Sequence, residues 1–254
     1  MMTSSDTPSP EPRDTARPTA RCGRVDDARL DDAALLGRME THLRSWPEDQ
    51  GRRVFLECYL IMTRNMLAGV HGRRFGDGRW VHRLLHRFAA YYFDALDAYE
   101  RTPSSAPPVW QLAFEVTDAA NRTPVQHLLL GVNAHINYDL VLTLEEVLAP
   151  EWPDLEPEHR ATRYADHCGI NRVIADSIDA VQDTVLEPRM GVLGAVDVVL
   201  GPLDEMLVSR LITSWREDVW HNAQDLLACR CDRDRKACLQ SVEDDAMRIG
   251  ERLI

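Results

Sequence analysis

The sequence predicts an all-α protein, a single-domain helical bundle built around a long, apolar central helix and preceded by a disordered tail. Three observations lead there. Apolar residues recur at helical spacing through most of the chain after residue 26, no alternating stretch is long enough to make a convincing strand, and Gly- and Pro-containing breaks divide the chain into helix-length blocks.

Residues 1–26 are rich in Pro, Ser, Thr and charge and have almost nothing to bury, so they read as a disordered tail, with the all-helical domain taking 27–254. The first helix is DDAALLGRMETHLRSW, with Leu35, Leu36, Met39 and Leu43 on one face. RRVFLECYLIMTRNMLAGV is longer and more apolar, and after a Gly-Asp-Gly turn RWVHRLLHRFAAYYFDALDAYE makes a third helix. TPSSAPP is a loop. VWQLAFEVTDAA and PVQHLLLGVNAHINYDLVLTLEEVLA are the next two helices, and the second, unusually long and apolar in its first turns, should be central. Three prolines in PEWPDLEPEH end it. RATRYADHCGINRVIADSIDAVQDTVL and AVDVVLGPLDEMLVSRLITSWREDVWHNAQDLLAC follow, the latter with an interruption expected at Gly201-Pro202, and DDAMRIGERLI closes the chain.

Bulk composition excludes several classes. Lys plus Arg number 29 against 41 Asp plus Glu, a net charge of −12, which argues against a phosphate backbone and hence against nucleic acid as partner. No run approaches the ~18–20 apolar residues needed to span a bilayer, and the N-terminus has no segment resembling a secretory signal, so a cytoplasmic protein is expected. Cys22, Cys58, Cys168, Cys229, Cys231 and Cys238 are too few and too irregular for a disulfide framework and read as free thiols. CRCDRDRKAC lacks the paired Cys-x-x-Cys spacing of common zinc knuckles. There is no Gly-rich nucleotide loop and no Gly-x-Ser-x-Gly elbow.

The chemistry concentrates in QHLLLGVNAHINYDL, residues 126–140, where His127, Asn133, His135, Asn137 and Asp139 interrupt an apolar helix. His127, Gly131, His135 and Asp139 are successive i,i+4 steps and share a stripe. His135 and Asp139 can hold a divalent metal, or form a pair in which the carboxylate orients the imidazole for acid–base work. Gly131 leaves room for a close approach by another group. Asn133 and Asn137 lie on other faces, where they can tie the helix to its neighbours, and the bland reading of the whole set is a buried polar network that holds helix register.

Other helices offer metal partners. Asp218-x-x-His221 is comparable to the inward-facing carboxylate–imidazole pairs of di-metal bundles, and Glu57 sits in the apolar run VFLECYLIM. With His135 and Asp139 these residues make a candidate site for zinc or iron, which requires Glu57, His135 and His221 to converge on one cavity. His167 beside Cys168 is either a helix-face residue or a supporting group, and neighbouring positions point about 100° apart, which excludes a Cys–His nucleophile. Each of His82 and His86 is followed by arginine, and the pair reads as a solvated face. The tryptophans and Tyr91 and Tyr92 supply core and pocket wall.

PVWQLAF followed by QHLLLGVNAHINYDL, with the earlier FGDGRWVHRLLHRFAAYYFDAL, resembles an actinobacterial helical family known only as a domain of unknown function, over residues 30–254. Its most specific part is the Asn-Ala-His-Ile-Asn-x-Asp-Leu core, Asn133–Leu140. The resemblance implies the fold and the position of a site at His127, Asn133, His135, Asn137 and Asp139, and no reaction; its actinobacterial character suggests specialised metabolism. The His-x-x-x-Asp spacing also looks like that of helical zinc phosphoesterases, which additionally need an N-terminal Trp that this chain lacks. The expectation is an enzyme for a small, largely apolar organic molecule, working by rearrangement, cyclisation or metal-assisted hydrolysis. The alternatives are a helical metal-dependent oxygenase and a non-catalytic binding or scaffold protein.

Overall fold

The computed structural model describes residues 30–48, 50–116, 122–189 and 205–254, and every regular element among them is helical. The expected tail and the Gly201-Pro202 interruption lie outside the described residues. Helix α1 (Asp32–Ser45) is capped by Asp31, whose side chain accepts from the Ala34 N–H at 3.0 Å. α2 (Gly51–His71) and α3 (Gly78–Arg101) form a hairpin. Its turn is closed by Asp77, which caps α3 at the Trp80 N–H, and by Asp166, which accepts the N–H groups of Gly76 and Asp77 at 2.6 and 2.7 Å.

α4 (Pro108–Val116) leads to the central helix. That helix opens on a capping box in which Thr123 and Gln126 satisfy each other's backbone N–H groups, with Pro124 at the first helical position. It runs as α5 (Pro124–Asn133), a wide π turn (Ala134–Asp139) and α6 (Leu140–Leu148). In the wide turn the Leu140 N–H reaches back five residues to the His135 carbonyl. α7 (Pro157–Ala175), the short α8 (Ile178–Val181) with a second wide turn at Gln182–Leu186, α9 (Glu205–Ala228) and α10 (Asp232–Arg252) complete the domain.

The central helix is buried because it belongs to two cores at once. Leu130 and Ala134 pack with Met39, Phe55, Leu56, Tyr92 and Trp110 from α1 to α4. Further along, Leu140, Leu144 and Leu148 pack with Trp80, Leu84, Ile170 and Trp220 from α3, α7 and α9. Burying one such leucine contributes about 1.5–3 kcal/mol. The polar residues of the wide turn therefore lie at the junction of two apolar clusters.

Candidate functional site

His135 and Asp139 face each other across the wide turn, with Nδ1 2.9 Å from Oδ2 and residue exposures of 3 % and 1 %. Both oxygens of Asp139 accept the indole N–H of Trp110, at 3.1 and 3.0 Å, from α4. The imidazole is clamped by aromatic rings. Phe88 lies flat on it at 3.5 Å between centroids, and Tyr59 meets it edge-on at 4.5 Å.

Burial drives the His135 imidazole well below its ordinary pKa. It drives the Asp139 carboxyl well above its own, and the Trp110 hydrogen bonds counter this only in part. Both shifts oppose a net charge in the pair and so favour one proton shared between Oδ2 and Nδ1. Whichever atom holds that proton, a pair of zero net charge has a hydrogen on Nε2.

That Nε2 is buried and finds no partner among the protein's own groups. His135 forms part of the wall of a cavity of about 160 Å³ between α2, α3, the central helix, α7, α8 and α9. The cavity is almost wholly apolar, with Met62, Met66, Leu84, Phe88 and Leu129 among its walls. Three other side chains of the same wall also have a buried polar atom without a protein partner, namely Tyr59 Oη, Thr63 Oγ1 and Gln182 Oε1. Thr63 lies beside Tyr59 one turn along α2 without a well-formed bond between them. His135 and Gln182 come from the two wide turns, and such turns recur at functional sites. Cys58 also lines the cavity, and burial holds its thiol up at about 12, so it stays protonated.

The cavity wall also holds Arg216 of α9, 3 % exposed. Its Nε donates to Asn171 Oδ1 at 2.6 Å and its Nη2 to the His167 carbonyl at 2.7 Å, while no described carboxylate lies within ion-pair distance. Burial pulls this guanidinium down to about 10. His167 is itself fully buried. It donates from Nε2 to the Arg216 carbonyl at 2.9 Å, which leaves Nδ1 as the acceptor facing Arg216 Nη2 at 3.3 Å. Arg216 was not singled out by sequence reading, because on paper it is one arginine among many in an amphipathic helix.

The remaining candidates are dispersed. His127 is buried against the backbone of Gly51, away from the cavity. Gly131 gives its close approach to the Phe55 ring. Asn133 donates to the Ala246 carbonyl of α10 and so ties the central helix to a neighbour, whereas Asn137 donates within its own helix to Asn133 Oδ1, both at 2.9 Å. The single cavity expected for Glu57, His135 and His221 is not formed. Glu57 is held by Arg53 and Arg189, each at 2.7 Å, in a separate recess. Asp218 and His221 line another recess, and the His221 side chain is 62 % exposed, with Nδ1 facing the Glu217 carbonyl. Five carboxylates and imidazoles spread over three places cannot share an ion, so the expected metal site is corrected: its members sit on different faces of their helices. The donors around His135 do not fit a metal either, since its Nδ1 is engaged and no second imidazole or carboxylate among the described residues groups with its Nε2.

Among the described residues, the group close enough to hold a metal is Asp32, His82 and His86. His82 and His86 are thus not the solvated face that their neighbouring arginines suggested. They turn inward toward α1, and both Nε2 atoms contact Asp32.

No described helix is long and apolar enough to cross a membrane. No curated protein and no solved structure matches the chain. A family model does match, over residues 33–254, and it covers the bundle with its central helix, the His135–Asp139 pair and Arg216. The chain belongs to that family, a family of unknown function (DUF5995).

Proposed function

We propose that the protein is an enzyme acting on a small, largely apolar organic molecule that carries one acidic group, with His135 as its acid–base residue. The observation that carries this reading is the buried, unpartnered Nε2 of His135 in the wall of an apolar cavity. Leaving such a group unpaired costs about 1–3 kcal/mol, which a ligand's polar atom would recover.

The paired proton defines the chemistry. His135 donates its Nε2 hydrogen to a basic atom of the bound molecule, and the shared proton settles on Nδ1. Asp139 is then a carboxylate held by Trp110, and Nε2 is a free base. Taking a proton from a neighbouring carbon restores the starting pair, so the net result is a rearrangement with no other reactant. Tyr59 and Thr63 supply further hydroxyls for the ligand's polar atom. Arg216, buried without a carboxylate partner among the described residues, suits the acidic group, and the aliphatic and aromatic walls suit the rest. Rearrangement and cyclisation need only this proton traffic.

The test incubates wild-type and His135→Gln proteins with a metabolite extract and compares what each consumes by mass spectrometry. Straight-chain fatty acids and their methyl esters serve as binding probes for the wild type and Arg216→Met. The reading expects one compound consumed by the wild type alone, and acids bound over esters by the wild type only. Capture without turnover would make this a binding protein, and neither capture nor turnover would end the proposal.

A further inference from the structure

Three imidazoles converge on one carboxylate at the outer end of α1. Asp32 lies in the first turn of that helix. Its Oδ1 is 2.6 Å from His82 Nε2 and 2.7 Å from His86 Nε2, one turn apart on α3. Its Oδ2 is 3.2 Å from Nε2 of His71, the last residue of α2. Each histidine presents the same nitrogen, and no arginine or lysine pairs with Asp32 among the described residues.

We propose that Asp32, His71, His82 and His86 form a zinc-type metal site that fastens α1 to the α2–α3 hairpin. Three imidazole nitrogens and one carboxylate are a donor set for Zn2+, which prefers four N, O or S ligands in a tetrahedron at ~2.0–2.1 Å. Ligand atoms on such a tetrahedron lie roughly 3.3 Å apart. The ligand atoms of Asp32, His82 and His86 already lie within 4.8 Å of one another, and His71, 3.2 Å from the other Asp32 oxygen with its ring centroid 6.5 Å from that of His82, completes the set by a turn of its exposed side chain. A hard ion such as Mg2+ or Ca2+ is disfavoured, because it asks for six or more oxygens and one carboxylate is at hand.

The surroundings agree with this use. The nearby carboxylate of Asp77 is already committed to the Trp80 N–H and to Arg163. His82 is half-buried, whereas His71 is 66 % exposed and borders an open surface recess with Gly76, Asp77 and Arg79, which gives an ion a path from solvent. The four ligands come from three helices. Bound metal therefore closes the N-terminal end of α1 against the hairpin whose other end packs on Met39 and the aromatic core. The role is structural, and the site is separate from the cavity at His135, so it stands or falls independently of the enzymatic reading.

The experiment uses the full chain, free of any affinity tag and stripped with chelator. It is titrated with Co2+ and followed by visible absorption, then with Zn2+ in competition. The proposal expects one ion per chain, the intense bands of tetrahedral Co2+, displacement by Zn2+, and a melting temperature raised by Zn2+ and unmoved by Mg2+ or Ca2+. Long-range proton–nitrogen spectra of the wild type should show three Nε2 resonances shifting together on Zn2+ addition, a readout that needs no variant. Asp32→Asn and His86→Gln should each lower affinity at least tenfold while circular dichroism is kept. Cys229→Ser/Cys238→Ser should bind as the wild type does. No saturable binding, binding unchanged in Asp32→Asn and His86→Gln, or binding lost in the cysteine variant would each overturn it.

Discussion

The indole N–H of Trp110 is shared between the two oxygens of Asp139, 3.0 and 3.1 Å away, from a helix 29 residues earlier in the chain. Besides His135 it is the one hydrogen-bonding partner of that carboxyl group among the described residues, and it opposes the upward drift of the carboxyl pKa. Trp110→Phe keeps most of the ring and removes the donor. Its expected cost is about 1–3 kcal/mol in urea denaturation, the range for a buried polar group left short of a partner. The carboxyl resonance of Asp139 should also titrate at still higher pH. An unchanged titration would show that Trp110 is packing only.

His135 and Asp139 separate chemistry from scaffolding. Asp139→Asn keeps shape and loses the group that shares the proton, and His135→Gln keeps a donor and loses proton exchange. Thermal denaturation of each variant should show a loss of about 1–3 kcal/mol at most, with conversion of the consumed metabolite abolished. Well-folded variants that still convert it would remove His135 from the mechanism.

Two glycines predict opposite signs. A Cβ on Gly131 would sit 2.4 Å from Cγ of Phe55, a collision with a core ring whose own neighbours are packed. Gly131→Ala should cost about 1–3 kcal/mol by overpacking. A Cβ on Gly37, inside α1, meets nothing within 4 Å, so Gly37→Ala should add about 0.4–1 kcal/mol by restricting the unfolded chain. Chemical denaturation of both variants checks the pair, and equal signs would contradict this packing.

Acid should destabilise the protein through His167. Burial first, and then the Arg216 charge, hold its imidazole well below the ordinary value, so the folded protein keeps it neutral. Below about pH 6.5 the unfolded chain binds a proton there that the folded chain refuses, and stability falls as pH falls, by up to about 1.4 kcal/mol per pH unit. His135 is shifted the same way, but Asp139 is shifted upward, and its folded carboxyl keeps a proton that the unfolded one loses above about pH 4. Those two contributions oppose each other between about pH 4 and 6.5, and His167 has no such counterweight. His167→Gln should therefore flatten the dependence of unfolding free energy on pH in that window, whatever it does to absolute stability. An equally steep dependence would rule out His167 as a source.

By itself the sequence determined what a helix decides locally. The 3.6-residue period finds the helices, though it begins the last at Asp244 where the structure begins it at Asp232, Thr123-x-x-Gln126 marks the start of the central one, and i,i+4 spacing brings His135 to Asp139 and Asn133 to Asn137 even across a wide turn. Those contacts follow from chain geometry and need no knowledge of neighbours. The tertiary structure decided which faces of different helices meet. It carried Trp110 to Asp139, set Arg216 beside His167 and the cavity, turned His82 and His86 onto Asp32, and left Glu57 and His221 in separate recesses. A helix's rotation about its axis is chosen by the sum of many small packing energies over its whole apolar stripe, to which one polar side chain adds little, so no local pattern announces where that side chain will arrive.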